Sequence, residues 1–226
     1  MKSAPEYFLC SFRPLAFSKV GREAVARFSL LPFVDASCRR EPDFDSDFPA
    51  ITSLCRGRNF APRLSIGDSV VYIAKRGRYI GLSVPHWRLV AILKVIVTFK
   101  DHASGADWYR ARQLPLPSNC MTFGNPPLPL EKTDYFIDDL NRWDARYRLK
   151  AKTWGTFHIC ESLFCDLHDP PAITPERMKS IFGKIPGTQN PPEICREAYL
   201  KLHQLAIVGT ESDRSQTRVP WDLTYR

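Results

Sequence analysis

The chain has 226 residues, 44% hydrophobic and 25% charged, which is enough apolar material for a buried core and too much for a disordered polymer. Its richest apolar run, Leu89 to Val97, carries Lys94 and falls far short of the ~20 residues of a spanning helix, so no membrane role is expected. The formal net charge of +8 is concentrated: from Cys55 to Arg112 eleven bases meet three acids, while the rest balances at 21 of each. A local positive field attracts phosphates, so DNA or RNA is the expected partner, against the plainer alternative of a solvated basic face. The opening MKSAPEYFLCSF has no secretory pattern, so the seven cysteines are expected as thiols in a cytosolic, nuclear or bacterial cytoplasmic compartment.

In chain order, Glu6–Phe12 reads as a strand and Ser18–Phe28 as a short helix. The stretch DASCRREPDFDSD, residues 35–47, has no apolar period and reads as a surface loop. Pro49–Leu54 reads as a short helix. Gly67-Asp68 is a turn signal ahead of a strand at Ser69–Ala74. Arg88–Phe99 is a long strand with apolar residues on both faces, and such a strand must be covered on both sides. Asp101 is placed to cap a helix reaching Gln113, after which the prolines of residues 113–131 enforce extended connections.

The second half reads as more helical. Thr133 and Asp134 precede Phe136, Leu140, Trp143 and Tyr147 at helical spacing. Thr156–Cys160 reads as a strand, Thr174-Pro175-Glu176 opens a helix that Gly183 closes, and Glu193–Ala206 reads as a further helix. Residues 209–226 read as a polar tail.

Three constellations carry candidate chemistry. Arginines and aromatics interleave over Arg56, Arg58, Asn59, Phe60, Arg63, Tyr72, Lys75, Arg76, Arg78, Tyr79 and Trp87, offering phosphate neutralisation and base stacking together, although Phe60 and Tyr72 taken singly read as core. Ser53, Asn59 and Asn119 are candidates for the hydrogen bonds that an enclosed base requires. His158, Cys160, Cys165 and His168 are ligand types for zinc, but their spacing matches no common finger, so neither metal nor cofactor is assigned. For catalysis the candidates are the carboxylates Asp35, Glu41, Asp43, Asp45 and Asp47 of the acidic loop, which together could hold Mg²⁺ for phosphoryl transfer but more often are simply solvated, and Cys55, whose neighbours Arg56 and Arg58 would favour a thiolate.

The run CRGRNFAPRLSIGDSVVYI, the turn RGRY and the strand WRLVAILKVIVTF resemble the PUA-like superfamily, which includes the ASCH, EVE and YTH domains. With EYFLCSF they are most similar to the nucleotide-modification-associated PUA-like domains of prokaryotes. The resemblance covers residues 6–115. It implies a prokaryotic cytoplasmic protein built as a partly open β-barrel that recognises nucleic acid, with a modified base caged by aromatics, for which Tyr79, Trp87 and Trp108 are the candidates.

The expectation is therefore an α+β protein forming one unit. Residues 6–115 form a PUA-like, partly open barrel with flanking helices, and 116–208 form a helical, proline-rich extension packed on it, ahead of the tail. The expected function is nucleic-acid binding, with recognition of a modified or flipped base as its sharper form. An enzyme installing or removing a nucleotide modification is the second reading, and an interaction protein with a basic docking face is the third.

Overall fold

Residues Tyr7–Phe12 alternate their side chains between two apolar layers, and that alternation organises the whole molecule. This first strand, β1, sends Phe8, Cys10 and Phe12 to one side and Leu9 to the other. The structure, a computed structural model, describes residues 4–134, 140–188 and 190–213. The further strands are β2 (Ala50–Thr52), β3 (Ser69–Ala74), β4 (Trp87–Phe99), β5 (Phe157–Cys165), β6 (Ala172–Ile173) and β7 (Glu193–Ile194). The helices are α1 (Lys19–Phe28), α2 (His102–Arg110), α3 (Leu140–Thr153), α4 (Pro175–Phe182) and α5 (Arg196–Asp213).

The strands form one mixed sheet in the order β2-β5-β4-β3-β1-β7, with β6 paired to the start of β4. Among the described strands only β1 and β3 run parallel. Among the described strands β2 and β7 are end strands, so the sheet is open and the protein is α+β with helices on both faces. Val70, Tyr72, Val90 and Leu93 join Val25 of α1 in one layer. Val71, Ile73, Leu89 and Ile92 join Met178 of α4 and Leu202 of α5 in the other. The two-sided burial expected of β4 is met by these layers. Strand β5, from the later half of the chain, lies between β2 and β4, so residues 116–208 supply sheet as well as helices.

Local chemistry sets the element ends. Ser18 Oγ accepts from Gly21 N–H at 3.0 Å, Asp101 Oδ1 from Ser104 N–H at 2.7 Å and Thr174 Oγ1 from Arg177 N–H at 3.2 Å, each opening a helix. Gly183 closes α4 at φ 73°, a left-handed conformation natural to glycine. At the Gly67-Asp68 turn, Gly67 has φ 94°. Asp68 accepts there from Ser65 N–H at 2.8 Å and Glu6 N–H at 2.9 Å, tying the turn to the entry of β1.

Four expectations are corrected. Pro49–Leu54 contains the strand β2 because Ala50–Thr52 pair antiparallel with β5 and lie fully inside, where a ladder satisfies the backbone and a single helical turn would not. Glu193 and Ile194 pair with β1, so the last helix begins only at Arg196. That helix runs to Asp213, through the start of the expected tail, and residues 214–226 lie outside the described residues. The run from Asp35 to Pro42 is buried. It is pinned by a bridge between Pro14 and Asp35 and by Arg39, which is fully inside and ion-paired to Asp144 at 2.7 Å. Phe136, expected on the helix that becomes α3, lies outside the described residues.

Candidate functional site

The sheet face that carries Cys10, Phe12 and Tyr72 opens into a cavity of about 280 Å³. Ile51 and Thr52 of β2, Cys55, Arg56 and Phe60 beyond it, and Asp35, Ser37 and Glu41 of the buried loop complete most of the wall. Arg56 reaches across to β1, donating from Nη2 to Cys10 Sγ at 3.2 Å and to Ser11 O at 2.5 Å. At the rim Arg13 pairs with Asp134 at 2.5 Å. Cys55 is reached by solvent although walls surround it, as befits a residue in a concavity.

Two carboxyl groups define the chemistry. Glu41 accepts from Thr52 N–H at 2.6 Å, from Thr52 Oγ1 at 2.5 Å and from the Asn119 side-chain amide at 3.1 Å. Burial outweighs these bonds and pushes Glu41 up to about 7. Asp35 accepts from Ser37 N–H at 3.0 Å and Ser37 Oγ at 2.5 Å, and burial pushes it up to about 6. Both groups therefore exchange protons near neutrality, as acid, base, donor or acceptor. The thiols behave otherwise. Burial pushes Cys10 and Cys55 up despite Arg56, and for Cys55 the Asp35 and Glu41 charges add to that effect, so a resting thiolate is disfavoured.

Of the residues singled out in the sequence, Arg56 is in the cavity wall and Asn119 holds Glu41 from behind while bonding Ala50 O at 2.8 Å. Ser53 is buried beside Thr52. Arg58, Asn59 and Arg63 are exposed on the turns that follow Arg56, where Arg63 lies 5.2 Å over the Phe8 ring and donates to Pro191 O at 3.2 Å. Lys75, Arg76 and Arg78 are exposed between β3 and β4. Arg88 is buried, paired with Asp169 at 2.7 Å and bonded to Pro170 O and Ile80 O, and it leaves the surface field.

The expected aromatic cage is not assembled. Tyr79 is buried against Phe33 and donates its hydroxyl to Lys75 O at 2.5 Å. Trp87 belongs to the layer beneath α4 and α5, with Arg76 over its ring at 5.3 Å. Trp108 packs on Phe48 at 5.4 Å, with Arg112 over it at 4.0 Å. The three thus sit in three separate apolar clusters: Trp87 as the first residue of β4, Trp108 on α2, and Tyr79 folded inward from the connection between β3 and β4. Aromatic surface in the cavity comes instead from Phe12, Phe60 and Tyr72.

The other candidates separate as well. Asp43 accepts from Ser118 N–H at 2.8 Å, a loop-bracing role, while Asp45 and Asp47 are exposed, so the acidic run is not one cluster. His158 uses Nδ1 with Thr98 Oγ1 at 2.9 Å and Nε2 with Ala61 O at 2.7 Å, while Cys165 and His168 lie further on and exposed. Among the described residues no group of three or more His, Cys, Asp or Glu side chains is arranged to hold a metal ion. Asp35 and Glu41 were candidates only as members of an exposed acidic cluster that could hold a metal; the structure instead buries these two and separates them from Asp45 and Asp47.

No protein-family model matches the chain, and no curated protein matches it. Among solved structures it is similar to a variant of ZmASCH from Zymomonas mobilis, at 11% identity and TM-score 0.38 over 88% of this chain and 96% of that one. A hypothetical protein from Leishmania major is similar at 10% identity and TM-score 0.36 over 96% and 100%. Likenesses of this size leave family and activity unassigned. Among the described residues no helix is long and apolar enough to cross a membrane.

Proposed function

We propose that this protein binds nucleic acid and takes a nucleobase, modified or flipped out of its strand, into the cavity between β1, β2 and residues 35–41. The observation that carries the reading is the pairing, in one cavity, of Asp35 and Glu41 with an arginine and three aromatic walls. A base edge presents donors and acceptors, and carboxyl groups that titrate near neutrality meet either kind. At about 280 Å³ the space is close to the lower bound of small-ligand sites, about 300 Å³. Arg58, Lys75, Arg76 and Arg78 are exposed cations suited to phosphates. A PUA-like recognition module, expected from the Gly67-Asp68 region, accords with this reading.

The test is a titration with labelled single- and double-stranded DNA and RNA, unmodified and base-modified, at two salt concentrations. Binding that weakens with salt, and a salt slope about one unit shallower for each phosphate contact removed in Arg76→Ala and Arg78→Ala, is the expected result. Absence of binding at low salt refutes it.

The same carboxyl pair favours a second reading, an enzyme acting on the captured base. Two carboxyl groups held near neutrality in one cavity can divide general-acid and general-base roles. Cys55 as nucleophile is the weaker form of that reading, since its thiol is pushed up.

A further inference from the structure

Phe123 is 99% exposed, the most of any large apolar side chain among the described residues, the next standing at 66%. Tyr79, Trp87 and Trp108 fold into apolar clusters beside their neighbouring cations, whereas this ring is held out in water by the backbone that carries it. Residues Thr122 to Asn125 make a tight turn in which Asn125 N–H donates to Thr122 O at 3.3 Å. Gly124, the third residue of that turn, has φ 82°, a left-handed conformation that glycine takes without strain.

Both flanks of the turn are anchored. Ahead of the ring, Thr122 N–H donates to Cys120 O at 3.0 Å and Met121 N–H to His102 Nδ1 at 3.1 Å. Behind it, the Asn125 side-chain amide donates to Pro117 O at 2.9 Å and Cys120 O at 2.8 Å, and the buried Arg39 donates to Asn125 O at 3.0 Å. A side chain presented on so fixed a backbone asks for little further ordering when a partner meets it. The same anchoring sets the turn beside α3. Met121, two residues before Phe123 and so no more than about 7 Å of chain away, packs into the apolar cluster around Tyr147 and lines one concavity with Arg148 and Lys152. Helix α3 holds Arg142, Arg146, Arg148, Lys150 and Lys152 against Asp144 alone, and Asp144 turns inward to Arg39.

We propose that Phe123 and α3 form a second contact for single-stranded nucleic acid, in which an unpaired base stacks on the Phe123 ring while Arg148 and Lys152, one helical turn apart on the face that meets Met121, hold neighbouring phosphates. The strand is single because a paired base already has its faces covered by its neighbours in the duplex. Thr122, Gly124 and Asn125 are polar or small, so the ring offers one face, which suits a base, and not the broad apolar patch by which a protein partner docks. The inference rests on the nucleic-acid binding proposed above but not on base capture in the first cavity.

The experiment titrates an oligothymidylate into the full chain and its variants at two salt concentrations, with Cys55 alkylation followed alongside. Phe123→Ala and Phe123→Leu should each bind about 5- to 150-fold more weakly, the loss of one stacked base, since leucine keeps apolar bulk but has no π-face. Phe123→Trp should retain binding, and the strand should quench its added emission. Lys152→Gln should make the salt slope shallower by about 0.7. Both positions are exposed, so the variants should melt with the native chain. Undiminished binding by Phe123→Ala or by Phe123→Leu overturns the proposal and leaves nucleic-acid binding itself standing. An equal loss on the matching duplex overturns the single-strand assignment. A native chain that binds no strand at low salt overturns the proposal and the proposed function together. Binding that depends on Phe123 but leaves Cys55 unshielded counts against the base-filled cavity alone.

Discussion

Arg39 and Asp144 form an interior ion pair between a loop and a helix 105 residues apart, with Nε to Oδ1 at 2.7 Å and Arg39 fully buried. Arg39 Nη1 also donates to Ser118 O at 2.9 Å and Asn125 O at 3.0 Å, so one side chain joins the loop behind the cavity, the proline-rich connection and α3. Removing one partner of such a pair leaves a buried charge unmet. Asp144→Ala should therefore destabilise the protein by about 3–5 kcal/mol in urea unfolding. A loss under about 1 kcal/mol, the range of surface pairs, would show that the pair does not organise the loop.

The two cavity carboxyls make a pH prediction whose sign is fixed. Asp35 and Glu41 stand at about 6 and about 7, above their ordinary 3.8 and 4.5, so folding favours their protonated forms. The stability they contribute is fully present below the ordinary values and is lost as pH rises through 6 and 7, at about 1.4 kcal/mol for each tenfold difference in proton affinity between folded and unfolded chain. His102, lowered to about 4 by burial, works in the opposite direction, because the unfolded chain protonates it more readily. Comparison with Asp35→Asn and Glu41→Gln isolates the carboxyl contribution. Unfolding free energies measured from acid to neutral pH should fall more steeply in the native chain than in either variant. Parallel curves would contradict the assigned directions.

Cys55 is exposed, yet the walls around it and the charges of Asp35 and Glu41 push its thiol up. Alkylation proceeds through the thiolate, so iodoacetamide at neutral pH should modify Cys55 at least about tenfold more slowly than free cysteine added to the same reaction. Peptide mapping over time, with the free amino acid followed alongside, gives both rates. Faster modification at Cys55 would revive it as a nucleophile.

The parts of the fold that were legible in the sequence are those fixed by neighbouring residues. Ser18, Asp101 and Thr174 cap helices, Gly67-Asp68 turns the chain, and β4 carries apolar residues on both faces, all through short-range chemistry. Of the site, Arg56, Cys55, Phe60 and Tyr72 were legible as members of the basic and aromatic run, Asn119 in part, and Asp35 and Glu41 only as members of an exposed acidic run. The burial of those two carboxyls was not legible, because it depends on Arg39 meeting Asp144 across the chain, which no local pattern encodes. Tyr79, Trp87 and Trp108 illustrate the converse: an aromatic beside an arginine looks like a stacking surface, yet each was recruited to a different apolar cluster. The charge of α3 was hidden for a third reason, since acids elsewhere in that half cancel it in any long window.

The most direct test of the central claim compares one single-stranded oligonucleotide with the same strand carrying a single abasic position, at two salt concentrations. The rate of Cys55 alkylation is followed alongside. If a base enters the cavity, the intact strand binds about 5- to 150-fold more tightly than the abasic one, as loss of about 1–3 kcal/mol of stacking requires. It also shields Cys55, while salt weakens both strands alike. Equal affinities with Cys55 unshielded would contradict base capture and leave only a phosphate-binding surface.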